Sequence, residues 1–273
     1  MKRGIIWLLI AVLSLLPGMT AFAELAADGS VEEFVMLEEV EETESGMEET
    51  QQSEDEEPVL TAREDFINRI IAKGEALYIK ANGKAQRAHY KTDIYVCKNF
   101  TTYVFNQNKA DFRMAEYPDV KLKIPNNLPA KKCKPYCYGY CWEDVAASKG
   151  NPFYVAAQFL YDSSLSAEEN MELALEFMKQ VQRGDFFQMT ASYSAGTGAH
   201  SAIMIADYDP ETGKVHWMDS NMRGKRIDGI RYGYVQYDAE ATIEWWAEAF
   251  CQKKRGATIY RLRDDIIYAA DAK

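Results

Sequence analysis

Four side chains in this sequence have the types that thiol-dependent cleavage of an amide bond requires: Cys97, His200, Asp219 and Asn221. Cysteine attacks as the thiolate, which a neighbouring imidazolium stabilises. The imidazole in turn needs an acceptor that holds its second ring nitrogen, and Asp219 or Asn221 can supply one. The four residues are therefore a candidate site, provided that the fold brings them together.

The segment around Cys97, "YVCKNFTTYVFNQN", has the apolar spacing of a helix. Phe100, Val104 and Phe105 follow Cys97 by three, seven and eight residues, so they share one helical face. This spacing predicts a helix that starts at Cys97 and buries that stripe. The first N–H groups of a helix have no partner within it, so they can stabilise an oxyanion beside the thiol.

The segment "HSAIMIADYDPETGKVHWMDSN" predicts a β-hairpin, because two β-rich runs flank the turn residues 209–213. Side chains alternate along a strand, so Val215, Trp217, Asp219 and Asn221 share one face and His216 points to the other. Pairing across the turn brings a carboxylate and an amide beside His200. His216, and His89 at a surface position, are assigned no role in the chemistry.

The remaining elements follow from capping and periodicity. Thr61 with Glu64 forms a capping box before a helix of about 62–80, and Ser166 with Glu169 forms another before an amphipathic helix ending near Gly184. Residues 109–165 show little periodicity and are interpreted as irregular. Strand-like runs follow, and one more helix, "TIEWWAEAFCQ", comes before the last of them. The order predicts an α+β domain, with N-terminal helices packed on a mostly antiparallel sheet.

The first sixty residues indicate export. Residues 1–23 combine Lys2 and Arg3 with an apolar run and end in "AFA", which is typical of a cleaved signal peptide. Residues 24–60 hold fifteen acidic side chains and no Lys or Arg, the composition of a disordered spacer or, alternatively, a pro-segment. The net charge of the whole chain is −11, but residues 61–273 have a net charge of only +2. This near-neutral part of the chain therefore does not indicate a nucleic-acid partner. We expect a secreted bacterial protein with no stable membrane anchor after cleavage.

The cysteine count supports a reactive thiol. An exported chain with five cysteines is expected to pair four of them and leave one, and Cys97 is the economical choice for that one. The disulfide partners would then be Cys133, Cys137, Cys141 and Cys251. Two alternatives remain: Cys97 could be a buried structural cysteine or half of a disulfide, and the other four could bind zinc.

These motifs together resemble the cysteine, histidine-dependent amidohydrolase/peptidase (CHAP) family, a papain-like group close to the NlpC-type peptidases. The likeness runs from a cysteine before an aromatic helix through "RGDFFQM" and "GAHSAIMI" to "MDSN", over about residues 90–262. It implies a papain-like fold over residues 61–273, with a Cys-rich insertion at about 125–150. It also implies that Cys97 is the nucleophile, His200 the base, Asp219 the acidic residue and Asn221 the amide.

Three features depart from the family pattern. Asp219 stands where the family usually has Glu, so either Asp219 or Asn221 could orient His200. Val96 precedes the nucleophile where a polar residue is common, and the interval from Cys97 to His200 is longer than usual.

The expected function is hydrolysis of an amide bond in bacterial peptidoglycan, without a cofactor or metal. The alternatives are a secreted peptidase or amidase acting on proteins or peptides, and a non-catalytic binding module.

Overall fold

The structure, a computed structural model, describes residues 60–89, 92–125, 142, 149–190 and 198–272, without the side chains of 223–225. The chain divides into two units, Met1–Asp55 and Glu56–Lys273. The predicted signal peptide and all of the predicted spacer except Leu60 lie outside the described residues. The same holds for most of the predicted insertion at 125–150. No helix in the described ranges is long and apolar enough to cross a bilayer.

Four α-helices occur in the described residues: α1 (Ala62–Ala81), α2 (Cys97–Asn108), α3 (Ala167–Met178) and α4 (Ile243–Gln252). Both predicted capping boxes are confirmed, Thr61 with Glu64 before α1 and Ser166 with Glu169 before α3. The prediction that the second of these helices continues to near Gly184 is wrong. Helix α3 ends at Met178, and i to i+3 turns carry the chain onward to the buried Val181.

The main sheet has seven strands in the order β1-β8-β7-β6-β5-β9-β4. In chain order these are β1 (Gln86–Arg87), β4 (Phe153–Leu160), β5 (Phe186–Met189), β6 (His200–Met204), β7 (Lys214–Ile227), β8 (Ile230–Thr242) and β9 (Gly256–Leu262). Every strand pair within the described residues is antiparallel. The predicted α+β class and the mostly antiparallel sheet are therefore confirmed.

The interpretation of residues 109–165 as irregular is wrong for three stretches of the segment, which form strands. It contains β4 and, after a 3₁₀ turn at Lys109–Asp111, two strands of a smaller sheet, β2 (Phe112–Met114) and β3 (Tyr117–Lys121). The smaller sheet is completed by β10 (Ile266–Tyr268), which pairs with β2, while β4 pairs with β9. Both partners come from the end of the chain, so local periodicity alone could not reveal these strands.

Apolar side chains cover both faces of the main sheet. On one face, Phe186, Ile203 and Met218 pack with residues of α1 and α2. On the other, Phe187, Met204 and Trp217 pack with residues of α3 and α4. Helices therefore lie on both sides of the sheet, and α2 contacts β6 and β7 directly. This packing places the start of α2 at the end of the sheet where β6 begins.

Candidate active site

Cys97 is the first residue of α2, as the apolar spacing predicts. The helix buries Phe100, Thr101, Val104 and Phe105, which anchors it on the sheet. Its own hydrogen bonds begin with the Phe100 N–H, which donates to the Val96 carbonyl at 2.8 Å. The Cys97 side chain is buried against Ala88, Val96, Ala199 and Met222. The positive end of the helix dipole therefore lies at the thiol, where it favours a thiolate.

A glycine allows close packing between α1 and β7. A Cβ atom at Gly74 of α1 would overlap the end of the Met218 side chain and lie 3.5 Å from the Phe100 ring. A larger residue at this position would therefore force the Met218 side chain of β7 to shift. The apolar pattern of the sequence does not single out Gly74.

His200 is the first residue of β6, and its imidazole bridges a carboxylate and a thiol. Its Nε2 lies 2.8 Å from Oδ2 of Asp219 on β7, and the two side chains are only 12% and 3% exposed. The His200 ring also makes a side-chain hydrogen bond with Cys97. Because Nε2 is engaged by Asp219, the nitrogen that remains for Cys97 is Nδ1. The result is a continuous chain of thiol, imidazole and carboxylate.

The surroundings of His200 favour its protonated form. Burial alone would lower the pKa of the imidazole, but the charge and hydrogen bond of Asp219, together with Cys97, outweigh it and raise the pKa of His200 to about 10. An imidazolium at neutral pH stabilises a thiolate on its other side. The electrostatics therefore suit a Cys97 thiolate paired with a His200 imidazolium.

Asp219 receives two hydrogen bonds on one oxygen. Oδ2 accepts from His200 and from the indole Nε1–H of Trp217 at 3.1 Å. The register of β7 against β8 shifts between Trp217 and Asp219. The sequence motifs give Trp217 no role, although the alternation of side chains along a strand places it on the same face as Asp219. An indole two residues from a candidate acid on the same strand face is the signal that could have found it.

Asn221 is the one predicted site residue that the structure does not join to the others. Strand β6 pairs with β7 at Ile203 with Met218 and at Met204 with Trp217, and Asn221 lies three residues beyond Met218 on β7. Neither ring nitrogen of His200 is hydrogen-bonded to the Asn221 side chain within the described residues. The structure thus brings together Cys97, His200 and Asp219, with Asn221 partly buried beside them.

The cysteines differ from the predicted pairing. Cys97 and Cys251 both carry thiols, so the prediction that Cys251 forms a disulfide is wrong. Cys251 lies near the end of α4, where it packs against the apolar cluster under that helix, and burial raises the pKa of its thiol. Cys133, Cys137 and Cys141 lie outside the described residues. The prediction that they form disulfides and the alternative that they bind zinc therefore both stay predictions. Among the residues that are described, no group of three His, Cys, Asp or Glu side chains could hold a metal ion.

A surface concavity elsewhere in the fold offers no comparable chemistry. It is lined by Arg69, Asp111, Tyr268 and residues 269–271, beside the smaller sheet. None of these side chains is a thiol or an imidazole, and the Tyr268 hydroxyl is hydrogen-bonded to Asp65. The chemistry of the described residues is therefore concentrated at Cys97, His200 and Asp219.

Comparisons with protein-family models, with curated proteins and with solved structures find no match to this chain. The geometry holds a thiol, an imidazole and a carboxylate in sequence, an arrangement that can serve acyl transfer.

Proposed function

We propose that this protein is a secreted cysteine hydrolase that cleaves amide bonds in bacterial peptidoglycan. The observation that carries the reaction type is the hydrogen-bonded chain from Cys97 through His200 to Asp219. Thiol, imidazole and carboxylate in this order form the arrangement that activates a cysteine nucleophile.

The reaction would proceed in two acyl-transfer steps. The Cys97 thiolate attacks the amide carbonyl carbon, and the resulting oxyanion is stabilised by N–H groups at the start of α2. The imidazolium of His200 gives its proton to the departing amine, leaving a thioester on Cys97. Neutral His200 then takes a proton from water, which attacks the thioester and releases the carboxylic acid and the thiolate.

The proposed fold is papain-like. A cysteine opens a buried helix, and this helix packs on an antiparallel sheet. The histidine begins one strand and the acid lies on its neighbour. These placements support the likeness to the CHAP family that the motifs suggest.

The choice of peptidoglycan rests on the sequence. The signal-like residues 1–23 point to export, and the CHAP-like motifs point to cell-wall amides. The described residues themselves support the reaction type rather than the substrate.

The test is incubation of the full-length chain with purified bacterial peptidoglycan, followed by mass analysis of the released fragments. We expect new amine and carboxyl ends from the wild type and none from Cys97→Ala. The fragment masses identify the bond, either the sugar–peptide amide or a link within the stem or cross-bridge. If no fragments appear but a protein or peptide is cleaved, the substrate assignment is wrong and the alternative peptidase is correct.

A reaction with iodoacetamide at neutral pH separates an enzyme from a binding module on the same scaffold. We expect alkylation of Cys97 to be about 100-fold faster than that of Cys251, because only Cys97 has an imidazolium and a helix N-terminus beside it. Peptide mass analysis distinguishes the two thiols. Equal, slow modification of both would indicate the non-catalytic module.

A further inference from the structure

The Asp219 carboxylate is buried, and both of its hydrogen bonds arrive at the same oxygen. Oδ2 accepts from His200 Nε2 at 2.8 Å and from Trp217 Nε1–H at 3.1 Å. Oδ1 is buried and has no hydrogen-bond partner among the described residues. The oxygen that faces His200 is thus the one that Trp217 also binds.

This arrangement matters because a carboxylate can turn. Rotation about the terminal torsion of Asp is broad, so an acceptor held by one donor alone is poorly oriented. A buried ionised carboxylate also needs hydrogen-bond donors that stabilise its charge. The indole N–H is a donor only and does not titrate, so it supports the anion whatever the protonation state of His200.

The indole is itself held firmly. The Trp217 side chain is buried, with its ring 5.1 Å from that of Trp246 in an edge-to-face arrangement and stacked on Trp245 at 6.3 Å. Trp245 and Trp246 both belong to α4, on the sheet face opposite α2. The indole that binds the acid therefore packs against a helix that contributes no residue to the chemistry.

We propose that Trp217 is a positioning residue that holds Oδ2 of Asp219 on His200 and thereby keeps the imidazolium beside the Cys97 thiol. The inference rests on the proposed function, in which Cys97 is the nucleophile. It extends that function by assigning a fourth residue, which the sequence motifs do not contain.

The matched pair of variants is Trp217→Phe and Trp246→Phe. Both remove an indole from the same buried cluster, but the Trp246 Nε1 has no hydrogen-bond partner among the described residues. The measurement is the pH dependence of Cys97 alkylation by iodoacetamide in the full-length chain, read from the Cys97 peptide by mass spectrometry. Alkylation of Cys251 in the same samples reports any general loosening of the fold.

We expect Trp217→Phe to raise the pH midpoint of Cys97 alkylation by about one unit. At pH values below the midpoint, the fraction of Cys97 present as thiolate would then fall about tenfold. A shift of this size fits the loss of one hydrogen bond to a charged group. The plateau rate at high pH should stay unchanged, because access to the thiol is not altered. Trp246→Phe should leave the midpoint in place. Equal shifts in the two variants would overturn the inference, since packing alone would then explain them.

Two further measurements test the hydrogen bond itself. Replacement of Trp217 by 3-benzothienylalanine puts sulfur in place of the N–H with little change in shape, so it should reproduce the shift even if Trp217→Phe folds poorly. An unchanged midpoint with this residue would overturn the proposal. Adding Trp217→Phe to Asp219→Asn should move the midpoint no further than Asp219→Asn alone, because Trp217 acts through the carboxylate.

Alkylation requires no substrate, so the outcome is separable from that of the proposed function. A chain that fails to cleave peptidoglycan but shows the shift supports the role of Trp217 and contradicts only the substrate. A chain that cleaves peptidoglycan but keeps its midpoint in both Trp217 variants overturns the role of Trp217 alone.

Discussion

The structure contains two histidine–aspartate pairs of nearly equal geometry and very different surroundings. His200 Nε2 lies 2.8 Å from Asp219, and His216 Nδ1 lies 2.7 Å from Asp238. The first pair is 12% and 3% exposed, whereas the second is 28% and 61% exposed. The first adjoins the Cys97 thiol, and the second adjoins the carboxylate of Glu240 at 3.8 Å. The hydrogen bond itself is therefore not what distinguishes the candidate site.

The difference lies in desolvation and in the third partner. Water screens the His216–Asp238 pair, and exposed ion pairs of this kind contribute little to stability. At His200, the buried charge of Asp219 acts with little screening and holds the pKa of the imidazole near 10 despite the cost of burial. A histidine becomes a candidate for catalysis here because a helix places a thiol on its other side.

Removing each imidazole in turn should give the largest difference in activity between the two pairs. We expect His200→Ala to lower turnover on peptidoglycan by at least about 1,000-fold, since members of a catalytic unit fail together. His216→Ala should retain turnover within about threefold, because its partners are surface carboxylates. Adding Cys97→Ala to His200→Ala should cost little more than either change alone. Substantial hydrolysis by His200→Ala would contradict the assignment, since the rings of His89 and His216 are hydrogen-bonded to Thr92 and Asp238 instead.

The second largest effect separates Asp219 from Asn221. Of these two residues, Asp219 is the one hydrogen-bonded to His200 in the described structure, so Asp219→Asn should lower kcat by about 100-fold or more. Asn221→Ala should lower it by less than about tenfold, a loss comparable to one neutral hydrogen bond. Steady-state kinetics on soluble muropeptides gives both values. The reverse ranking would mean that the amide takes over as the orienting group during the reaction.

The third prediction concerns stability and pH. A histidine whose pKa rises from 6.5 to about 10 on folding stabilises the protein fully below pH 6.5, and this contribution disappears as the pH rises through 10. In a Cys97→Ala background, where the neighbouring thiol cannot titrate, the free energy of unfolding should still fall between pH 7 and 10, by less than the roughly 3.5 kcal/mol that the full shift implies, because Cys97 contributes part of that shift. Denaturant titrations at several pH values measure the decline. It should vanish when Asp219→Asn is added and persist when His216→Gln is added instead.

The smallest effect belongs to the exposed pair. Asp238→Asn should change the free energy of unfolding at pH 7 by less than about 1 kcal/mol, because the affected hydrogen bond with His216 lies at an exposed surface. Asp238 has φ +54, and Asn is the substitution that best tolerates this backbone, so the variant tests the charge alone. A loss comparable to that of Asp219→Asn would mean that burial is not what separates the two pairs.

Much of this site is determined by the local sequence. Apolar spacing after Cys97 places that residue at the start of a helix, and Thr61 and Ser166 begin two others through their capping boxes. The turn at 209–213 and strand alternation bring Asp219 to the side of His200. These features depend on helix periodicity, side-chain capping and the two-residue repeat of a strand, which act over a few residues and are legible in a single sequence.

Only the tertiary structure decided the rest. Strands β2 and β4 exist because Ile266–Tyr268 and Gly256–Leu262, about one hundred residues away or more, pair with them. The hydrogen bond from His200 to Asp219 rather than to Asn221 is a matter of side-chain placement that strand alternation leaves open. Trp217, which binds Asp219, packs against Trp246 of α4, and Cys251 is a thiol packed against the apolar cluster under that helix. Each of these depends on contacts between segments distant in the chain, and such contacts follow from the packing of the whole core rather than from any local pattern.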